Sequence, residues 1–422
     1  MKIKVTIIIG ALLIFNAIYA GELQDKILDA TGFEITGFVD LRQGFRTVDD
    51  ENQKDYSISE IRTRLDLLGE FDLLTISFKG DLVGDSVDEE VRGELREFSL
   101  QFSPFEILDI KMGRFTNTWG TGDLVFVNDL FPKDWESFFT GRDDEYLKMP
   151  SYALKTGIFS DALNIDLIWS PIHNESVYID GSRLSYWNPT TSQIEGDNMV
   201  MEDEERDDFF HDSEFDIRIS KNFSGTEIAL YSHSGFWKTP EGMNSSGDLI
   251  YPRLFSYGAS LRAQILGGIF NIEFGYYDSI DDEDGDNTYI RNSEYRFFTG
   301  FEKELGKNFT GGFQYYVELM DDFEEYEAQA QPTDDLKRDE VRHLLTLRLT
   351  KLLMNQNLIL SLFTYYSPSD SDFYTRSKIK YKYSDSLIFE VGGNIFGGSN
   401  EHTFFGQFQK NSNVFTAIRY SF

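Results

Sequence analysis

The chain has 422 residues, a formal charge of −33, 15% aromatic residues and no cysteine. Without cysteine there are neither disulfides nor thiolate metal sites. So acidic a chain is also a poor partner for nucleic acid, which is held through Lys and Arg against phosphate.

Met1, Lys2 and Lys4 precede an apolar run from Val5 to Ile18, and Tyr19-Ala20-Gly21 follow. A basic start, a short apolar stretch and small residues at the exit describe a secretory signal peptide cut after Ala20. The run falls short of the roughly 20 residues a spanning helix needs. Residues 1–20 therefore read as an export signal, 21–32 as a short polar periplasmic lead-in with one helical turn, and 33–422 as a single domain. After Ala20 no apolar stretch is long enough to span as a helix, so membrane residence requires a closed barrel. A soluble periplasmic β-protein is the alternative.

From Phe33 onward, apolar and polar residues alternate. Phe33, Ile35, Gly37, Val39 and Leu41 share one face, with Glu34, Thr36, Asp40 and Arg42 on the other. Leu74, Ile76 and Phe78 oppose Thr75, Ser77 and Lys79, and Ile228 and Leu230 oppose Glu227 and Tyr231. Segments of about 10 residues with this period are strands of a barrel.

Short connections are expected at Phe71-Asp72-Leu73, Ser103-Pro104-Phe105, Ser160-Asp161-Ala162, 221–225, Ile265-Leu266-Gly267 and Ser384-Asp385-Ser386. Between them fall long ones at 47–56, 84–93, 116–151, 171–212, 235–253, 278–293 and 320–337. Short periplasmic turns opposite long outer loops are the asymmetry of bacterial barrels. Counted in this phase, the segments predict an all-β transmembrane antiparallel barrel of about 18 strands, or 16, with both termini periplasmic. Segment 357–366 departs from the pattern: Leu358, Leu360 and Leu362 alternate with Ile359 and Phe363, which leaves its lumen face weakly polar.

The acid is concentrated in the long connections, as in Asp49-Asp50-Glu51, Asp88-Glu89-Glu90, 202–205 and 281–284. On the polar strand faces the signs are mixed. Arg42, Arg62, Arg64, Lys79, Lys111, Lys155, Arg218, Arg262, Arg296, Arg342, Arg348, Arg376 and Arg419 alternate with Asp40, Glu60, Asp66, Asp81, Glu97, Asp109, Asp166 and Glu273. Unpaired charge in a packed core costs several kcal/mol, so this face belongs to a hydrated lumen. Arg376, Lys378, Lys380 and Lys382 all fall on one side of one strand. Such a ladder either orients anionic or dipolar solutes or is an ion-paired wall.

The acidic loops read first as solvated hairpin tips. The sharper reading is divalent-cation bridging to lipopolysaccharide phosphate, or calcium between loops. Asp282, Asp284 and Asp286 with Gly285 resemble the start of a calcium loop, but the bidentate Glu at its end is missing, and no metal is expected.

The connection 116–151 differs from the rest. It carries Trp119-Gly120-Thr121-Gly122-Asp123, the apolar run Leu124 to Val127, and Asn128-Asp129-Leu130-Phe131-Pro132-Lys133-Asp134-Trp135, with Arg142-Asp143 beyond. So apolar a loop is costly in water, and the barrel interior is its nearest shelter. Trp119, Asp123, Asp129, Asp134, Arg142 and Asp143 are the candidate constriction residues; a plug or strut is the alternative.

Gly113-Arg114 followed by Trp119-Gly120, at a strand end entering a long loop, resembles the porin-like families around the alginate-export barrels. The ending Arg419-Tyr420-Ser421-Phe422 is similar to theirs. The resemblance implies an outer-membrane barrel with an inward third loop, and passive transport. It also implies Ile418, Tyr420 and Phe422 as the signal read by the barrel-assembly machinery. The mixed sign of this lumen differs from the basic lumen of the exporters, so polyuronate export is not carried over.

Five histidines, His173, His211, His233, His343 and His402, show no zinc spacing, and no nucleophile elbow or phosphate loop is present. His343 is placed on the lipid face near a rim, and His233 on the lumen side. No enzyme activity and no cofactor are expected. The reading is a channel in the outer membrane of a Gram-negative bacterium that passes small hydrophilic or charged solutes. A docking or adhesin barrel is the main alternative, and an outer-membrane hydrolase the lesser one.

Overall fold

The computed structural model describes residues 20–329 and 336–422. The expected signal segment lies outside the described residues, apart from Ala20 at its edge. The lead-in is a helix, Ala20–Thr31, of three turns rather than one. Gly32 ends it at φ +75°, donating its N–H to the Leu28 carbonyl, as a left-handed C-terminal cap does.

Eighteen strands form one sheet. They are β1 (Phe33–Arg46), β2 (Ile58–Phe71), β3 (Leu74–Asp85), β4 (Glu90–Phe105), β5 (Leu108–Thr116) and β6 (Pro150–Phe159). Next come β7 (Asn164–Ser170), β8 (Glu214–Phe223), β9 (Thr226–Phe236), β10 (Arg253–Ile265), β11 (Gly268–Ser279) and β12 (Glu294–Gly306). The last six are β13 (Phe309–Met320), β14 (Val341–Leu353), β15 (Leu358–Ser367), β16 (Asp372–Lys382), β17 (Leu387–Gly398) and β18 (Asn413–Ser421). Each pairs antiparallel with the next. The ring closes where β1 meets β18, from Arg46 opposite Asn413 to Phe38 opposite Ser421.

The two faces of this ring are the reverse of a soluble protein's. Phe45, Leu82, Phe98, Phe215 and Leu230 are about half exposed and point outward. Their neighbours Arg42, Arg62, Asp81 and Asp216 point inward and are buried. An apolar outer band around a charged interior suits lipid outside and water or polar partners inside. Among the described residues no helix is long and apolar enough to cross a membrane.

The tight turns are built as hairpin geometry requires. Ser224-Gly225 and Leu266-Gly267 both take positive φ at two central residues, the primed turn that matches strand twist. Two expectations need correction. Ser103-Pro104-Phe105 belongs to the end of β4, with an irregular register between Phe102 and Phe105 where Pro104 lacks a donor; the turn is Glu106-Ile107. The connection expected at 84–93 spans only 86–89, because Asp85 still pairs with Glu90 across the hairpin. Arg92 makes that acidic crowding tolerable by contacting Asp85 at 3.5 Å and Glu90 at 2.9 Å.

With neighbouring strands about 4.8 Å apart and a tilt near 40°, eighteen strands enclose a ring roughly 35 Å across at the backbone. So wide a ring leaves space that side chains alone do not fill. The main buried apolar cluster lies inside it. Val125, Val127, Phe138, Phe139 and Leu147 of the connection between β5 and β6 pack with Phe298, Tyr316, Leu344, Phe363, Tyr365, Tyr374 and Phe396 of the wall.

That packing explains the poor reading of β15. Phe363 and Tyr365 face inward, opposite Arg348 and Thr346 of β14, because a loop covers them.

Candidate functional site

Strand register places every basic residue singled out from the sequence on the inward face. Arg42 lies beside Ala417, Arg62 beside Val83, Arg64 beside Asp81 and Lys79 beside Glu97. Lys111 faces Lys155, Arg218 faces Asp166 and Arg262 faces Glu227. Arg296 and Arg342 flank Glu318, Arg348 faces Phe363, and Arg376 is opposite Phe363 from the other side. Lys378 and Lys380 continue that strand, opposite Gly392 and Glu390.

Most of this wall is ion-paired. Arg42 contacts Glu390 at 2.9 Å, Arg62 contacts Asp81 at 2.8 Å and Glu94 at 2.6 Å, and Lys111 contacts Glu97 at 2.9 Å. Arg342 holds Asp370 at 2.7 Å. Among the described residues, Lys380 and Arg262 have no carboxylate within 4.0 Å.

The third outer connection, residues 117–149, makes almost a full circuit of the inward face. It leaves β5 with Trp119 set edge-on to Phe131 at 5.1 Å and near Tyr231 of β9. The Glu273 carboxylate of β11 then gathers the next turn. It accepts from the backbone N–H groups of Thr121, Gly122 and Asn128, and from the Asn128 side chain at 2.8 Å. Gly258 and Gly275, opposite each other in register, leave room there; a Cβ on either would meet Asn128 or Val127.

Farther along, Asp123 accepts from Arg348 at 2.9 Å, and the Gln314 side chain both donates to the Asp123 carbonyl and accepts from its N–H. Tyr365 donates to the Leu124 carbonyl at 2.8 Å. A short helix, Trp135–Thr140, lays Phe138 and Phe139 on Tyr374, Phe396 and Phe408 at ring distances of 5.0 to 5.7 Å. Gly141 caps that helix at φ +90° against the Phe415 ring.

The same stretch bridges the closing seam. Arg42 of β1 donates to the Gly141 carbonyl at 2.6 Å, and Asn413 of β18 donates to the Phe139 carbonyl at 3.0 Å.

The loop ends its circuit on β2 to β4. Tyr146 donates to Asp81 at 3.0 Å and lies under Arg62 at 4.2 Å from the ring centre. In β4 a bulge inserts Arg96 between Glu97, opposite Lys79, and Leu95, opposite Gly80. Arg96 thereby reaches the Lys148 carbonyl at 2.9 Å, the re-aiming that bulges provide. The next outer connection braces this from above. Val177 accepts from the Trp135 N–H at 3.0 Å, and Arg183 pairs with Glu136 at 3.0 Å and Asp85 at 2.5 Å.

The six constriction candidates separate into two kinds. Asp129, Asp134, Arg142 and Trp119 hold the loop's own shape. Asp129 is buried between Lys133 at 3.0 Å and Lys148 at 3.2 Å. Asp134 caps the helix by accepting from the Ser137 N–H at 2.6 Å. Arg142 is buried against Glu60 at 2.5 Å and Glu136 at 3.2 Å. Asp129 and Arg142 are neutralised by charged partners, Asp134 is engaged in the helix cap, and Trp119 carries no charge, so none of the four offers a free charge to a pore.

Asp123 and Asp143 keep some exposure. Asp144 and Glu145 join them, although nothing in the sequence marked them out. Asp144 pairs with Arg376 at 2.9 Å and Lys378 at 3.0 Å, so the basic ladder meets the loop directly. Asp143 and Glu145 each contact Arg419 at 3.4 Å. Burial would raise the Asp144 carboxyl, but Arg376 and Lys378 outweigh it and hold it well below the usual range. Asp143 is held low too, against burial, by Arg419, Lys380 and Lys378. Glu136 moves the opposite way, because its burial exceeds what Arg183 and Arg142 return.

Outward of the loop lies a cavity of about 880 Å³. Leu124, Phe126 and Trp135 form its floor, and Trp237, Arg291, Arg296, Glu318 and Arg342 its wall. Arginine sits on aromatic faces here as well, with Arg296 at 3.8 Å from the Tyr277 ring centre. Of the histidines, His233 points inward and bonds Asp216 at 2.7 Å, and His173 is buried on Glu214 at 3.1 Å. His343 faces outward and bonds Tyr315 at 2.8 Å. Ile418 and Tyr420 lie on the outward face of β18, in register with Phe389 and Leu387.

No protein-family model matches the sequence, and no curated protein matches it. Solved structures do resemble the fold. OccAB3 of Acinetobacter baumannii aligns over 92% of this chain and 99% of its own, at 8% identity and a TM-score of 0.57. OccD3 (OpdP) of Pseudomonas aeruginosa aligns over 93% and 91%, at 10% identity and a TM-score of 0.53. OccK10 (OpdN) of the same organism aligns over 92% and 99%, at 10% identity and a TM-score of 0.50. The fold shared with these outer-membrane porins is a closed 18-stranded antiparallel barrel.

Proposed function

We propose that this porin-like barrel sits in an outer membrane and is a passive channel for small hydrophilic or charged solutes, narrowed by its third outer loop. The observation that carries the reading is the circuit of residues 117–149 around the inward face, tied to Glu273, Gln314, Tyr374, Glu60 and Asp81 in turn. An 18-stranded ring without such a loop would leave a wide aqueous bore. With the loop seated, solutes pass alongside its acidic edge, Asp143 to Glu145, where Asp144 is clamped to Lys378 at 3.0 Å and Lys380, among the described residues, has no carboxylate within 4.0 Å.

Selectivity in such a slot comes from its radius and from the field between opposed charges. The field is short-ranged, with a Debye length of about 10 Å at 0.1 M salt, so discrimination weakens as salt rises. Flow is driven by concentration alone. Catalysis has no part in this reading: His173 and His233 act as partners of Glu214 and Asp216.

Planar-bilayer recording of the purified protein tests the proposal. Deleting residues 123–145 is expected to raise single-channel conductance by at least roughly twofold, since the bare ring is so much wider than the slot. Unchanged conductance rules the constriction out, and a wild-type protein that passes no current rules out the channel. An esterase and peptidase screen of the same preparation addresses the catalytic alternative.

A further inference from the structure

Tryptophan is scarce in this chain, with five in 422 residues. Three of them, Trp135, Trp187 and Trp237, line the cavity of about 880 Å³ outward of the third loop. That volume lies within the range of small-molecule sites, about 300–1,000 Å³. Neighbouring outer loops hold two of the three in place. The Trp135 backbone N–H donates to the Val177 carbonyl at 3.0 Å, and the Trp187 backbone N–H donates to the Gln407 side chain at 3.1 Å. Both residues are partly exposed, and among the described residues no Lys or Arg stacks on either ring. Trp237, in contrast, is buried, with Arg291 at 5.2 Å from its ring centre.

The polar part of the lining is electrically balanced. The chain as a whole carries −33, yet this lining has as many basic as acidic side chains, seven of each. Every one of those Lys and Arg residues has a carboxylate within 4.0 Å. Arg342 holds Asp370 at 2.7 Å, Arg291 holds Glu241 at 3.1 Å, and Arg296 holds Glu294. Glu318 contacts Arg342 at 3.5 Å and accepts from the Tyr316 hydroxyl at 2.7 Å.

This balance decides what the cavity can hold. An anion would have to draw an arginine away from a carboxylate that already satisfies it, and would leave that carboxylate unpaired. A cation on Glu241, Glu294, Glu318 or Asp370 meets the same obstacle. A neutral molecule rich in hydroxyls breaks no pair, because guanidinium N–H groups and carboxylate oxygens keep capacity for further hydrogen bonds. The flat C–H faces of a pyranose ring suit uncovered aromatic faces.

We propose that this cavity binds a neutral saccharide of two rings, its ring faces on Trp135 and Trp187 and its hydroxyls on the Arg342–Asp370 and Arg291–Glu241 pairs. The inference rests on the channel reading for its purpose, since it names a solute class for the passage. Binding itself is measured without current, so the two readings can fail separately.

The test is equilibrium dialysis of the full protein against radiolabelled cellobiose, in a polyoxyethylene detergent that carries no sugar headgroup. One saturable site per chain is expected, unchanged between about 0.1 and 1 M salt because the ligand carries no charge. Benzoate and choline should displace the label at least tenfold less effectively than unlabelled cellobiose. Trp187→Ala should weaken binding about tenfold. Trp135→Phe, which keeps a ring against Phe138, should weaken it about threefold. Trp169→Ala, on the outward rim against Phe210, should leave it unchanged. Absence of a saturable site overturns the proposal. So does binding that falls steeply with salt, displacement by benzoate or choline as effective as by cellobiose, or full binding by Trp187→Ala. The salt and displacement measurements use the unaltered protein, so they decide the matter even where a variant misfolds. A protein that binds cellobiose but passes no current keeps this site and removes the channel.

Discussion

Two sectors of the inward wall receive the same loop by opposite means. From β12 to β17, Phe298, Tyr316, Phe363, Tyr365, Tyr374 and Phe396 offer an aromatic bed, and Val125, Phe138 and Phe139 settle on it without charge. From β16 through the seam to β2, Arg376, Lys378, Arg419, Arg42 and Arg64 meet Asp143, Asp144, Glu145 and the Gly141 carbonyl. Apolar burial sets where the loop sits, since each buried aromatic contributes kcal/mol that salt does not screen. In the proposed channel, the charged side sets what the remaining slot presents to a solute. Partly exposed pairs such as Asp144 with Lys378 add little to stability, which under the proposed function leaves them free to serve selectivity.

Breaking the aromatic side should have the larger effect. Phe139→Ala removes a ring from the middle of the cluster, and such truncations cost about 3–5 kcal/mol. The loop should then detach locally while the barrel persists. The expected signs are noisy, enlarged channel openings and faster proteolysis within 123–145. Replacing Gly141 with Val should act in the same direction, because its left-handed conformation and the Phe415 ring both exclude a side chain.

Next in size is Asp144→Asn, which frees Arg376 and Lys378. Reversal-potential measurements at 0.1 M salt should show the cation-to-anion permeability ratio falling by roughly two- to fivefold. The shift should fade at 1 M salt, and a shift that persists there would point to geometry instead of charge.

The smallest effect is that of pH. A depressed carboxyl keeps its pairing above the ordinary carboxylate range and loses it only as pH falls through the lowered value. Selectivity carried by Asp144 should therefore stay constant from pH 7 to about 4, well past where an ordinary carboxylate begins to titrate. A midpoint between pH 4 and 5 would show that Asp144 is not held by Arg376 and Lys378.

The contrast also explains which parts of the molecule were readable in advance. Strands such as β8, where Phe215, Ile217 and Ile219 alternate with Asp216 and Arg218, announce both faces, because lipid and water demand opposite chemistry. On β15 the demand is relaxed: Phe363 and Tyr365 face inward onto a loop, and periodicity alone does not separate that from a lipid-facing row. Within the loop, Asp134 three residues before Ser137 is a readable helix cap, and its capping role outranks that of a pore charge. Asp144 and Glu145 are not legible in the same way, since an acidic run gives no sign of which member meets a ladder that folds in from the far end of the chain.

One further consequence follows from the bonds that Gly141 and Phe139 make to Arg42 and Asn413. Every other strand pair in the ring is tied by its own hairpin or loop, but the first and last strands are joined by no connection of their own, only by their ladder and by side-chain pairs such as Arg419 with Asp40. The polypeptide thus fastens its weakest join with a clasp from the inside, made of residues synthesised long before the final strand exists. The wall cannot part sideways at that join without also breaking the insert's bonds to one strand or the other.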